Sequence, residues 1–146
     1  MSRILVGYDG SDGGRRALER AASEARDSHL SITVLTVVNM PLDLDAPRNF
    51  GTLDDISARE GGPLGPPPDV VDHLNEAREI LAGEGFDPDL AWAAGEPGRE
   101  IVETAKRVRA RAIVVGEHHH GFLSGIFGGK VDEEVQRQAG CTVIVA

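Results

Sequence analysis

The chain has 146 residues, with 24 Asp and Glu against 15 Lys and Arg, for a formal net charge of −9. That length suits one domain that builds its core without disulfides or metals, and the acidic balance argues against a general surface for nucleic acid or anionic membrane, which positive charge must meet. No apolar run reaches the length of a membrane span, and Met1-Ser2-Arg3 leads into a strand-like run with no signal peptide, so a cytoplasmic protein is expected.

In chain order, the first apolar run, roughly Arg3 to Tyr8, is expected as a strand. It breaks into Asp9-Gly10-Ser11, where Ser11 or Asp12 can cap a helix whose stripe is Ala17, Leu18, Ala21, Ala22 and Ala25. A second strand follows over Ser31 to Val38. From Asn39 to about Pro68 the chain carries Pro41, Pro47, Pro63, Pro66, Pro67 and Pro68, several glycines and no sustained periodicity. Connections in α/β units are usually ~2–6 residues; composition here predicts partial disorder, with a lid as the alternative and a helical turn near Asp54 to Glu60. Val70, Val71, Leu74, Ala77, Ile80 and Leu81 mark a second helix, Pro88 to Ala94 a third strand, and Ile101, Val102, Ala105 and Val108 a third helix entered through Pro97. Arg111 to Gly116 and Cys141 to Ala146 complete five strands, with a helix through Val131 and Val135 between them. The continuous Val/Ile runs 112–115 and 142–145 read as strands covered on both faces. Cys141 has no partner for an internal disulfide and is expected as a buried, inert thiol.

Alternating strands and helices predict one α/β domain over 1–146, an open parallel sheet whose ligands lie beyond the carboxyl ends of the strands. Two strand ends stand out. Gly7-Tyr8-Asp9-Gly10-Ser11 leads into a helix start, where unpaired amides and the positive helix end favour an anion. Gly116 ends the fourth strand and is followed by Gly121, Gly125, Gly128, Gly129 and Lys130. If the first and fourth strands are neighbours, Asp9 and Gly116 face one crevice. A P-loop is rejected, because Ser124 stands where its first glycine belongs and Val131 where its magnesium-binding hydroxyl belongs. His118-His119-His120 read as an exposed polar loop rather than a metal site, since adjacent loop residues point apart. Tyr8 and Trp92 read as packing residues.

The runs Ile4-Leu5-Val6-Gly7-Tyr8-Asp9-Gly10-Ser11, Thr33-Val34-Leu35-Thr36-Val37-Val38, Gly95-Glu96-Pro97, Ile113-Val114-Val115-Gly116 and Ala139-Gly140-Cys141-Thr142-Val143-Ile144-Val145 together resemble the small single-domain universal stress proteins over nearly the full length. The resemblance implies an open five-stranded parallel sheet of order 3-2-1-4-5 with helices on both faces, an adenine nucleotide alpha-hydrolase-like fold. It also implies a homodimer through the last strand, Cys141–Ala146. ATP-binding members carry Gly, two residues, Gly, nine residues, Gly and then Ser or Thr. By position, Asp9 then matches the acid near base and ribose, Gly7 and Val37 flank the adenine, Gly116 is the first glycine and Gly129 the third. His119 stands in place of the second glycine, Lys130 in place of the hydroxyl residue, and Val131 follows. A side chain at 119 opposes close backbone approach, whereas the Lys130 ammonium can meet phosphate as a point charge.

Two functions follow from the resemblance: a regulatory module that binds ATP or AMP in stress adaptation, or a non-binding dimeric interaction protein of unknown protein partner. Catalysis, as slow ATP hydrolysis, has the least support. Glu117 and Asp132 flank the site but nothing marks either as a base.

Overall fold

The computed structural model describes residues 2–39, 50–52, 67–116 and 140–146. In chain order it contains β1 (Arg3–Gly7), α1 (Asp12–Ser28), β2 (Ser31–Asn39), β3 (Phe50–Thr52), α2 (Pro68–Gly83), β4 (Asp89–Gly95), α3 (Pro97–Val108), β5 (Ala110–Val115) and β6 (Thr142–Val145). The sheet order is β3-β4-β2-β1-β5-β6. Its five parallel strands, β4-β2-β1-β5-β6, have the expected 3-2-1-4-5 order.

β3 lies within the connection between Asn39 and Pro68, where the sequence pattern marks no strand. It pairs antiparallel with β4, Phe50 opposite Ala93 and Thr52 opposite Ala91. Three residues centred on glycine offer no alternation to detect. The helical turn expected near Asp54 to Glu60 and the helix through Val131 and Val135 lie outside the described residues.

Strand alternation divides the interior in two. Ile4, Val6, Ile32, Val34, Leu90, Trp92 and Val114 face α1 and α2, whereas Leu5, Leu35, Ala91, Ala93, Ile113, Val115 and Val143 face α3. The alanine stripe of α1 lets that helix lie close on the sheet, with Leu18 fully buried among Ala17, Ala21, Ala22 and Ala25. α2 contributes Val70, Leu74, Ala77 and Leu81 to the same layer, and α3 contributes Ile101, Val102 and Ala105 to the other. Trp92 is buried as expected, although its indole N–H meets no acceptor among the described residues.

Helix ends follow local chemistry. Ser11, not Asp12, caps α1, its hydroxyl accepting from the Gly14 amide at 3.0 Å. Pro68 and Pro97 open α2 and α3, where a missing N–H costs no helical bond. Cys141 is only half-buried, just before β6, and burial pushes its thiol pKa up.

Candidate functional site

β1 lies between β2 and β5, so the sheet reverses its order of addition at the carboxyl end of β1. Gly7 ends that strand opposite Leu35 of β2, and Val6 pairs with Val114 of β5. Asp9 and Gly116 therefore leave the sheet at one end, where Val37 stands near the carboxyl end of β2. Gly7 is buried; Asp9, Val37 and Gly116 are half-buried.

Asp9 is held by its own turn. Its Oδ1 accepts from the Ser11 amide at 3.0 Å and from the Ser11 hydroxyl, which in turn caps α1. Oδ2 has no partner among the described residues. A carboxylate is thus fixed beside a helix start with one oxygen available, and the first helical amides have no acceptor of their own within the helix. Gly14 gives this turn room: a Cβ there would stand 3.0 Å from both Asp9 Oδ1 and Tyr8 Cδ1.

Gly116 brings the second strand end to the same place. A Cβ at 116 would lie 2.4 Å from the carbonyl carbon and oxygen of Gly13, so only glycine lets β5 leave the sheet against the first turn of α1. The first and fourth parallel strands expected from the sequence are neighbours, and Asp9 and Gly116 both stand against the first turn of α1. His119, Gly129, Lys130 and Val131 lie outside the described residues, as do Glu117 and Asp132.

Behind the turn stands a group of side chains that sequence reasoning passed over. The Tyr8 hydroxyl donates to Glu76 Oε1 of α2. The same oxygen accepts from Arg15 Nε at 3.3 Å and Nη2 at 3.2 Å, while Arg15 Nη1 reaches Asp12 at 3.0 Å. Burial and then the Glu76 hydrogen bond raise the Tyr8 pKa to about 12. The Tyr8 hydroxyl in turn holds Glu76 below its ordinary value, and Glu76 holds Arg15 above its own. The His73 ring meets Tyr8 edge-on, centroids 6.3 Å apart. The one available signal was the helical spacing of His73 and Glu76, which puts both on one side of α2.

The described part of the site offers a fixed carboxylate, a helix start and two glycine-shaped strand ends, with Tyr8, Arg15 and Glu76 behind them bonded to one another. Among the described residues no group of His, Cys, Asp or Glu could hold a metal ion, and no helix is long and apolar enough to cross a membrane.

The sequence profile of the universal stress protein family matches residues 1–146. The chain belongs to that family. The stress response protein NhaX of Bacillus subtilis strain 168 is 26% identical over 162 residues, covering 98% of this chain and 96% of NhaX. A solved universal stress protein in complex with cAMP has a TM-score of 0.69 at 24% identity, over 99% of this chain and 95% of that one, a likeness of fold. The universal stress protein of Archaeoglobus fulgidus in complex with dAMP is 27% identical, with a TM-score of 0.60 over 99% of this chain and 97% of its own. Among universal stress proteins, then, chains of this fold have been solved with adenine nucleotides bound.

Proposed function

We propose that this universal stress protein is a cytoplasmic regulatory module that binds an adenine nucleotide, ATP or AMP, in the crevice beyond β1 and β5 and acts by occupancy rather than by turnover. The observation that carries this reading is the meeting of Asp9 and Gly116 on the first turn of α1. Asp9 Oδ2, without a partner among the described residues, accepts from a ribose hydroxyl or an adenine amine. Gly7 and Val37 flank the base; Gly116, His119, Gly129, Lys130 and Val131 are the positions assigned to the phosphates, the Lys130 ammonium as a point charge. The bound nucleotide supplies negative charge where helix-start amides lack acceptors. The solved complexes with cAMP and dAMP support an adenine nucleotide as the ligand class.

The test is direct. Protein purified from cells is extracted and its nucleotide identified, then titrated calorimetrically with ATP, ADP and AMP. Asp9→Ala is expected to weaken binding by at least ~10-fold, the effect of a lost charge-assisted hydrogen bond. An affinity unchanged by Asp9→Ala places the ligand elsewhere.

His119 and Lys130 favour the second reading, a non-binding dimeric interaction protein, because they depart from the glycine and hydroxyl of the ATP-binding pattern. No extracted nucleotide and no heat of titration with any of the three would select it. Both readings use a homodimer formed through β6, whose Val145 is the exposed large hydrophobic residue among those described.

A further inference from the structure

We propose that Glu76 is a positioning residue for the crevice: through the Tyr8 hydroxyl it fixes the Tyr8–Ser11 turn, and with it the Asp9 carboxylate, from the helix that follows the long connection. The consequence for affinity rests on the nucleotide reading above; the geometric part does not.

Tyr8 is the last residue before the turn and is held at both ends. Its amide donates to Leu35 O at 3.0 Å, and its carbonyl accepts from the buried Thr36 hydroxyl at 2.9 Å. Its ring is 0% exposed and crosses the layer between α1 and α2, so that the hydroxyl arrives at Glu76. A phenylalanine would fill that volume as well; the oxygen is matched to a carboxylate on another helix. Asp9 follows directly in the chain and takes its place from Tyr8.

α2 touches the turn a second time. Gly10 has φ +81°, and the His73 ring lies so close beneath it that a Cβ there would stand 2.7 Å from Nε2. Two contacts from one helix, at Tyr8 and at Gly10, therefore bracket Asp9 on both sides along the chain. Arg15 closes the arrangement from α1, binding Glu76 on one side and Asp12 on the other. The helix that caps on Ser11 is thus tied to the helix that supports Tyr8, and the carboxylate of the crevice stands where the two meet.

Tyr8 is the chain's single tyrosine, so tyrosinate absorbance reads this residue alone. Glu76→Gln, Tyr8→Phe and the double variant are compared with the unaltered protein. The Glu76 side chain is 40% exposed and Gln keeps its shape, so the fold is expected to survive. Three results are expected. Glu76→Gln brings the Tyr8 titration midpoint down from about 12 toward 10. Without nucleotide, hydrogen exchange at the Ser11 and Gly14 amides speeds up by about 10-fold or more while Ile101 in α3 is unchanged, the pattern of a local rather than a global loosening. AMP affinity falls by about 10-fold in each single variant and no further in the double, as for two members of one interaction.

A shifted Tyr8 titration with unchanged exchange at Ser11 and Gly14 overturns the proposal, leaving Glu76 a surface partner of Tyr8. Additive losses of AMP affinity overturn it as well. If the unaltered protein binds none of ATP, ADP and AMP, the nucleotide reading fails, and the exchange measurement alone decides whether Glu76 positions the turn.

Discussion

Gly116 occupies a space in which one added methyl group meets main chain rather than a side chain that can rotate away. Gly116→Ala must separate β5 from the first turn of α1, so a loss of about 1–3 kcal/mol is expected, in the range of overpacked cores. Gly83, the last residue of α2, meets nothing within 4 Å, and alanine there should gain about 0.5–1 kcal/mol through the unfolded chain. Urea denaturation of the two variants checks the pair; equal midpoints would mean that the contact with Gly13 carries no constraint. Gly116 was legible in the sequence because a glycine closing a Val/Ile run is an interruption with few causes. Glu76 was not, since a glutamate on a helix ordinarily reads as a solvated face, and its partner Tyr8 lies at the end of a strand far away in the chain.

Among the elements, the three helices and five parallel strands within the described residues appear within a few residues of where the sequence puts them. α1 extends past its alanine stripe at both ends because Ser11 supplies the cap and His29 accepts a left-handed conformation at φ 54°. β3 escaped notice because its pairing, not its composition, makes it a strand. β6 bonds to β5 on one side and has no other strand beside it among the described residues. An apolar edge of this kind favours association through its free amides and carbonyls. Val145→Lys, at a position 38% exposed, is expected to shift the proposed dimer toward monomer in sedimentation velocity while leaving the circular dichroism spectrum unchanged. An unchanged sedimentation coefficient would remove β6 from the interface.

The whole molecule should feel the Tyr8–Glu76–Arg15 contacts at both ends of the pH scale. A phenol raised from 10.0 to about 12 on folding favours the neutral form in the native state. Its contribution is complete below about pH 10 and is lost as pH climbs toward about 12, roughly 2–3 kcal/mol in all. Glu76 works in the opposite sense: its pKa is lowered from 4.5, so its contribution is present above that value and lost as pH falls below it. Chemical denaturation across this span should show a plateau with two falling limbs, and Glu76→Gln should flatten the acid limb and move the alkaline limb to lower pH. Constant stability up to about pH 12 would contradict the burial and hydrogen bonding of Tyr8. At this scale the open parallel sheet was readable from alternation and its strand order from the family resemblance, but the joining of α1 to α2 was not, because side-chain ties between helices leave no period in the sequence.

The short antiparallel strand β3 has an effect on growth. Among the described residues it borders β4 with only three residues and offers little backbone to template a further strand, while β6 forms the opposite margin. If two copies join through β6 about a twofold axis, as proposed above, each covers the other's β6 edge. A polymerising ribbon would need two such edges per copy, so a short β3 favours a closed pair for the homodimer proposed above.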